Sequence, residues 1–125
     1  MPKNENEMSN TYAINTKDPL GNTITCTTAR WNEHILTDSG HTIMGGNEKA
    51  VEDTLSNPDS IYQSSQSKSR TVYFKEGARD STYNDALVTK VITERTGNKT
   101  RKVVSAWPQK SVKGGIADVI YDKEK

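Results

Sequence analysis

The apolar pattern of this chain changes period at Asn57-Pro58. Before that point Ala50, Val51, Thr54 and Leu55 recur at helical spacing and share one face. After it, Ser60 to Gln63, Thr71 to Lys75, Ala86 to Thr93 and Arg101 to Trp107 are short runs of period two, rich in β-branched and aromatic residues. The residue before a proline disfavours helix, so the helical part stops here. Helices first and a strand meander afterwards give an α+β class. The expected architecture is two N-terminal helices packed on one face of a roughly antiparallel four-stranded sheet, preceded by a short β-hairpin. Trp31, Ile35, Val51 and Leu55 are then expected to lie against Val72, Phe74, Leu87, Val91 and Val103.

Tyr12-Ala13-Ile14 and Thr23 to Thr27 read as the hairpin strands, with a turn at Asp18-Pro19-Leu20-Gly21-Asn22 between them. The first helix is predicted over about Ala29 to Leu36, capped by Thr28, and the second over Glu48 to Ser56, capped by Asn47. Thr96-Gly97-Asn98 is a hairpin turn. Residues 1–10 lack apolar periodicity and read as a disordered lead-in, 11–121 as a single domain and 122–125 as a charged tail. No apolar run approaches a membrane span and no signal-peptide core is present, so a soluble, cytoplasmic protein is expected. Cys26 is the single cysteine, which excludes an internal disulfide and any CxxC motif. Its place among alternating threonines predicts a small buried apolar residue.

A formal net charge of +1 conceals an asymmetry: residues 1–65 carry 4 Lys and Arg against 9 Asp and Glu, whereas residues 66–125 carry 13 against 7. An anionic partner would dock on the second half. Arg101, Lys102, Trp107, Lys110 and Lys113 form a basic stretch with an aromatic residue, readable as an RNA-facing surface or as an edge strand guarded by lysines.

His34 and His41 are the only histidines, and they titrate near neutrality without special surroundings. A helix that buries Trp31 and Ile35 leaves His34 on the rim of the buried face, held by packing yet able to reach a cleft. Two such groups beside a phosphate can cleave RNA, one taking the 2′-hydroxyl proton and the other protonating the leaving 5′-oxygen. Arg70, Lys75 or Arg101 can offset the charge on the phosphoryl oxygens, and the Ser105 hydroxyl can hydrogen-bond the same group. The bland alternative is that two histidines in 125 residues have no catalytic role. Neither a metal site nor a cofactor is expected, since HExxH spacing and a P-loop are both absent.

Arg30-Trp31-Asn32-Glu33-His34-Ile35, then His41, then Val51 to Ile61 with its Asn57-Pro58-Asp59 turn, resembles the phage-associated branch of the barnase–EndoU–colicin–RelE-like nucleases. Val72-Tyr73-Phe74 and Val103-Val104-Ser105-Ala106-Trp107 resemble that branch's later strands. The resemblance implies a small α+β fold and a metal-independent endoribonuclease, acting as a toxin or host-takeover factor of phage or mobile-element origin. Carried over by position, it implies catalytic roles for His34 and His41, a hydroxyl at Ser105 where threonine is usual, and a basic group at Arg70 or Lys75. Thr42 stands where proline usually follows the second histidine. RNA is the implied partner, with a protein inhibitor or host target beside it. The alternative from the residues alone is a non-catalytic module binding RNA or protein on the same scaffold.

Overall fold

Seven strands lie side by side in one sheet, in the order β1-β2-β6-β5-β4-β3-β7. They are β1 (Tyr12–Lys17), β2 (Thr23–Thr27), β3 (Ser60–Ser64), β4 (Arg70–Glu76), β5 (Val88–Gly97), β6 (Thr100–Gln109) and β7 (Ile116–Asp122). The structure, a computed structural model, describes residues 11–37, 42–83 and 86–124. Helix is scarce. A turn of α-helix, α1 (Thr28–Arg30), runs into a π-helical turn (Trp31–Ile35), and a 3-10 turn (Thr42–Met44) precedes the nine-residue α2 (Glu48–Ser56).

This corrects the expected two helices on a four-stranded antiparallel sheet. The N-terminal hairpin is not a separate element, because β2 pairs in parallel with β6 through Thr23↔Thr100, Ile24↔Arg101 and Thr25↔Lys102. That one parallel junction makes the sheet mixed. At the other side β7 pairs antiparallel with β3, from Ser60↔Asp122 to Ser64↔Ile116. Both additions have the same cause: β3 and β6, as edges of a four-stranded meander, would each leave a row of backbone groups unpaired.

The first helix is shorter and wider than its sequence predicts. Thr27, not Thr28, caps it, accepting from the Arg30 N–H at 3.1 Å. The Leu36 N–H then reaches back to the Trp31 carbonyl (3.0 Å), and the widened turn buries Trp31 and Ile35 together. Helix α2 has the predicted bounds, but Asn47 does not cap it with its side chain. Instead the Asn47 amide donates to the Ile43 carbonyl and Thr82 hydroxyl, and its oxygen accepts from the Thr82 N–H at 2.7 Å.

Strand parity splits the core in two. The inner face, under the helices, joins Ile14, Ile24, Tyr73, Val91, Val103 and Ala106 to Trp31, Ile35, Met44, Val51 and Leu55. The outer face carries Val72, Phe74 and Val88, with Tyr62, Ile92 and Ile116 partly buried against them. Val72 and Phe74 therefore do not meet the helices as expected; Tyr73, between them, does. A bulge at Val104 opposes Ile92 to Ser105 and Thr93 to Val103, so Val103 and Ala106 both point inward although three residues apart.

Candidate nucleic-acid interface

Directly paired residues on neighbouring strands point to the same face, so the register lays out the outer face row by row. One row runs Arg70↔Glu94↔Lys102↔Thr25 across β4, β5, β6 and β2. The next is Val72↔Ile92↔Ser105, and the third Phe74↔Lys90↔Trp107. Arg70 is tied to Glu94 through Nε and Nη2, both at 3.3 Å from the same carboxylate oxygen.

Lys90 is the least expected of these residues, a lysine only 5% exposed. Its Nζ sits 4.7 Å from the Trp107 ring centre and 5.9 Å from that of Phe74, and donates to the carbonyls of Gly114 (2.9 Å) and Lys113 (3.2 Å). Burial pulls the ammonium below the usual lysine value. The outcome is a cavity of about 280 Å³ between Arg70, Lys90, Ile92, Trp107 and the Gly114-Gly115 turn.

At the far side of the first row, the end of β2 delivers α1. His34 is exposed and lines a groove of about 380 Å³ with Arg30, Glu33, Thr25, Thr27 and Lys102. Arg30 is fixed there because its Nε donates to the Val103 carbonyl at 2.8 Å. Cys26, next to this groove in sequence, is buried, and burial pushes its thiol up to about 11 although the Arg30 charge pulls it down.

Of the residues singled out in the sequence, His34, Lys102, Ser105, Arg70 and Trp107 are thus gathered on the outer face or at its margin. Arg101 and Lys75 are not. Arg101 alternates with Lys102 and faces inward, 9% exposed. Lys75 reaches the Asn57 carbonyl (2.9 Å) and the Asp59 carboxylate (3.9 Å), away from the rows above. Lys110 and Lys113 are exposed between β6 and β7, where Lys113 contributes its carbonyl to Lys90. His41 lies outside the described residues. Sequence reading missed Arg30, Glu33 and Lys90. Lys90 was legible as the partner of a tryptophan two strand rows from an arginine, but only with the register known.

Among the described residues no three His, Cys, Asp or Glu side chains converge as a metal site. No helix among them is long and apolar enough to cross a membrane. Comparison with protein-family models, curated proteins and solved structures finds no match.

Proposed function

We propose that this chain binds RNA across the outer face of its sheet and cleaves it by acid–base chemistry in the His34 groove. The observation that carries the reading is the meeting of an accessible imidazole with Lys102 and Arg30 in one groove, from segments about seventy residues apart. Such an activity fits a toxin or host-takeover factor of phage or mobile-element origin, acting on RNA in the cytoplasm.

The chemistry follows from what the groove holds. A base takes the proton of a ribose 2′-hydroxyl, and the 2′-oxygen forms a bond to the adjacent phosphorus. The bond from phosphorus to the 5′-oxygen breaks as an acid protonates that oxygen. Lys102 and the Arg30 guanidinium offset the charge that grows on the non-bridging oxygens. His34 supplies one of the two proton transfers, and Glu33 is the other acid–base group lining the groove. Arg70 and Trp107 continue the surface toward the second cavity, where a base can stack on the indole face not covered by the buried Lys90 and a phosphate can meet Arg70.

The test is cleavage of mixed RNA in EDTA by the wild type and by His34→Ala, Glu33→Gln and His41→Ala. His34→Ala is expected to slow cleavage by roughly 10²–10⁴-fold, the usual contribution of a positioned acid–base group. The Glu33 and His41 variants identify the counterpart by which of them abolishes one limb of a bell-shaped pH profile. Undiminished cleavage by His34→Ala removes this groove from the mechanism. If the wild type cuts no RNA but binds it with an affinity that falls steeply with salt and with Lys102→Ala, the surface is a binding module instead.

A further inference from the structure

Arg101 is a buried cation whose guanidinium donors are only partly used. Its Nε donates to the Thr93 hydroxyl and its Nη2 to the Ser69 carbonyl, both at 2.8 Å. Among the described residues its Nη1 has no hydrogen-bond partner. The side chain borders a cavity of about 370 Å³ at the hairpin end of the inner face, beyond the apolar core. Lys68 from the β3–β4 turn, Arg95 near the end of β5 and Lys99 from the β5–β6 turn line the same cavity. Four cations border it, and no carboxylate does.

Arg101 bears the electrostatic cost of being buried beside this cavity. Burial pulls the Arg101 guanidinium below its usual value and the neighbouring Arg95 charge pulls it further, while Tyr73, Asp18 and Glu94 pull the other way. Asp18 cannot turn to the cavity, because its carboxylate is taken up by the Leu20 and Asn22 N–H groups, the Asn22 amide and the Tyr73 hydroxyl. Glu94 is held by Arg70 on the other side of the sheet. An entering anion offsets the charge of the four cations that border the cavity, and the Arg101 guanidinium, fixed through Nε and Nη2, has Nη1 left to donate to it.

We propose that this cavity binds the phosphate groups of a nucleotide, carried free or at the 5′ end of an RNA. Its volume lies in the range of small-ligand sites, roughly 300–1,000 Å³. Asn98 adds a side-chain amide beside the charges, while Gln63, whose amide donates to the Ser64, Ser67 and Arg70 carbonyls, and Thr71, bonded to the Thr93 hydroxyl, form a fixed polar wall. The site is independent of the outer-face reading, because none of its four cations lines either outer groove.

The experiment is calorimetric titration of the full chain with inorganic pyrophosphate at low salt, paired with thermal unfolding. Saturation at about 100 times Kd is expected to raise Tm by roughly 8–13 °C. Arg95→Ala removes an exposed side chain that has no hydrogen bond or ion pair among the described residues, so the fold is retained and affinity should fall by roughly tenfold or more. Arg95→Ala/Lys99→Ala should abolish binding, whereas Lys102→Ala, on the opposite face, should leave it intact. Adenosine diphosphate and a 5′-phosphorylated RNA oligomer then compete against pyrophosphate, and the one that displaces it identifies the carrier. No binding of pyrophosphate, equal affinity in the Arg95 variants, or displacement by neither competitor overturns the assignment.

Discussion

The Tyr73 hydroxyl joins the centre of the sheet to the β1–β2 turn, 55 residues away in sequence, by donating to the Asp18 carboxylate. Tyr73 is 1% exposed and Asp18 5%, so little water is at hand to replace a lost donor. Tyr73→Phe keeps the ring in the inner core and removes only the hydroxyl. Asp18 keeps the donors from Leu20 (3.0 Å) and Asn22 (2.8 and 3.0 Å), so the carboxylate is weakened rather than stranded. A hydrogen bond to a charged acceptor contributes about 1.5–3 kcal/mol, and the remaining donors place the expected loss near 2 kcal/mol. For a domain of this size that lowers Tm by roughly 6–10 °C. Urea unfolding should show a reduced midpoint with an unchanged slope, because the surface exposed on unfolding is the same. Asp18→Asn should be less than additive with Tyr73→Phe, since both act through one contact. A loss below about 0.5 kcal/mol, or full additivity, would refute the claim that this bond anchors the hairpin turn.

Three further outcomes are expected. Cys26 should alkylate about a hundredfold more slowly in the native protein than in urea, since burial holds its thiol at about 11 against an ordinary 9.0; between those values the unfolded chain ionises first, so its contribution to stability falls as pH rises. Asp59 is held below the usual aspartate value: burial opposes this, but the Glu76 N–H, Lys123 and Lys75 outweigh it. Its stabilising contribution is therefore present above the ordinary 3.8 and lost as pH falls through the lower native value, so wild type and Asp59→Asn should differ in stability near neutrality and converge in acid. Gly114 has φ +91°, and a Cβ there would lie 2.9 Å from the Lys90 Nζ. Gly114→Ala should cost more than Gly46→Ala, where φ is +81° and nothing lies within 4 Å; backbone conformation alone accounts for about 1–2 kcal/mol in each, and chemical denaturation of the two variants measures the difference.

Local periodicity determined much of this protein. The alternation in Thr71 to Lys75 and Arg101 to Trp107 belongs to β4 and β6, and the spacing of Ala50, Val51, Thr54 and Leu55 belongs to α2, because side-chain direction along a single element depends only on its own geometry. The same alternation already separates Lys102 from Arg101, which a single basic stretch had merged into one surface. It also places Val72 and Phe74 opposite to Tyr73.

Tertiary structure alone decided which rows adjoin. The parallel pairing of β2 with β6 joins residues more than seventy positions apart, and nothing in Thr23 to Thr27 marks its partner, since backbone hydrogen bonding is the same for any strand that fits. That pairing brings Lys102 to Thr25, and the π-helical turn after β2 brings His34 to Lys102. The bulge at Val104 sets which of Ser105 and Val103 faces outward. The cation-lined cavity was half legible: Arg95, Lys99 and Arg101 flank the Thr96-Gly97-Asn98 hairpin turn, whereas Lys68 joins them through the pairing of β4 with β5, which only the tertiary structure decided.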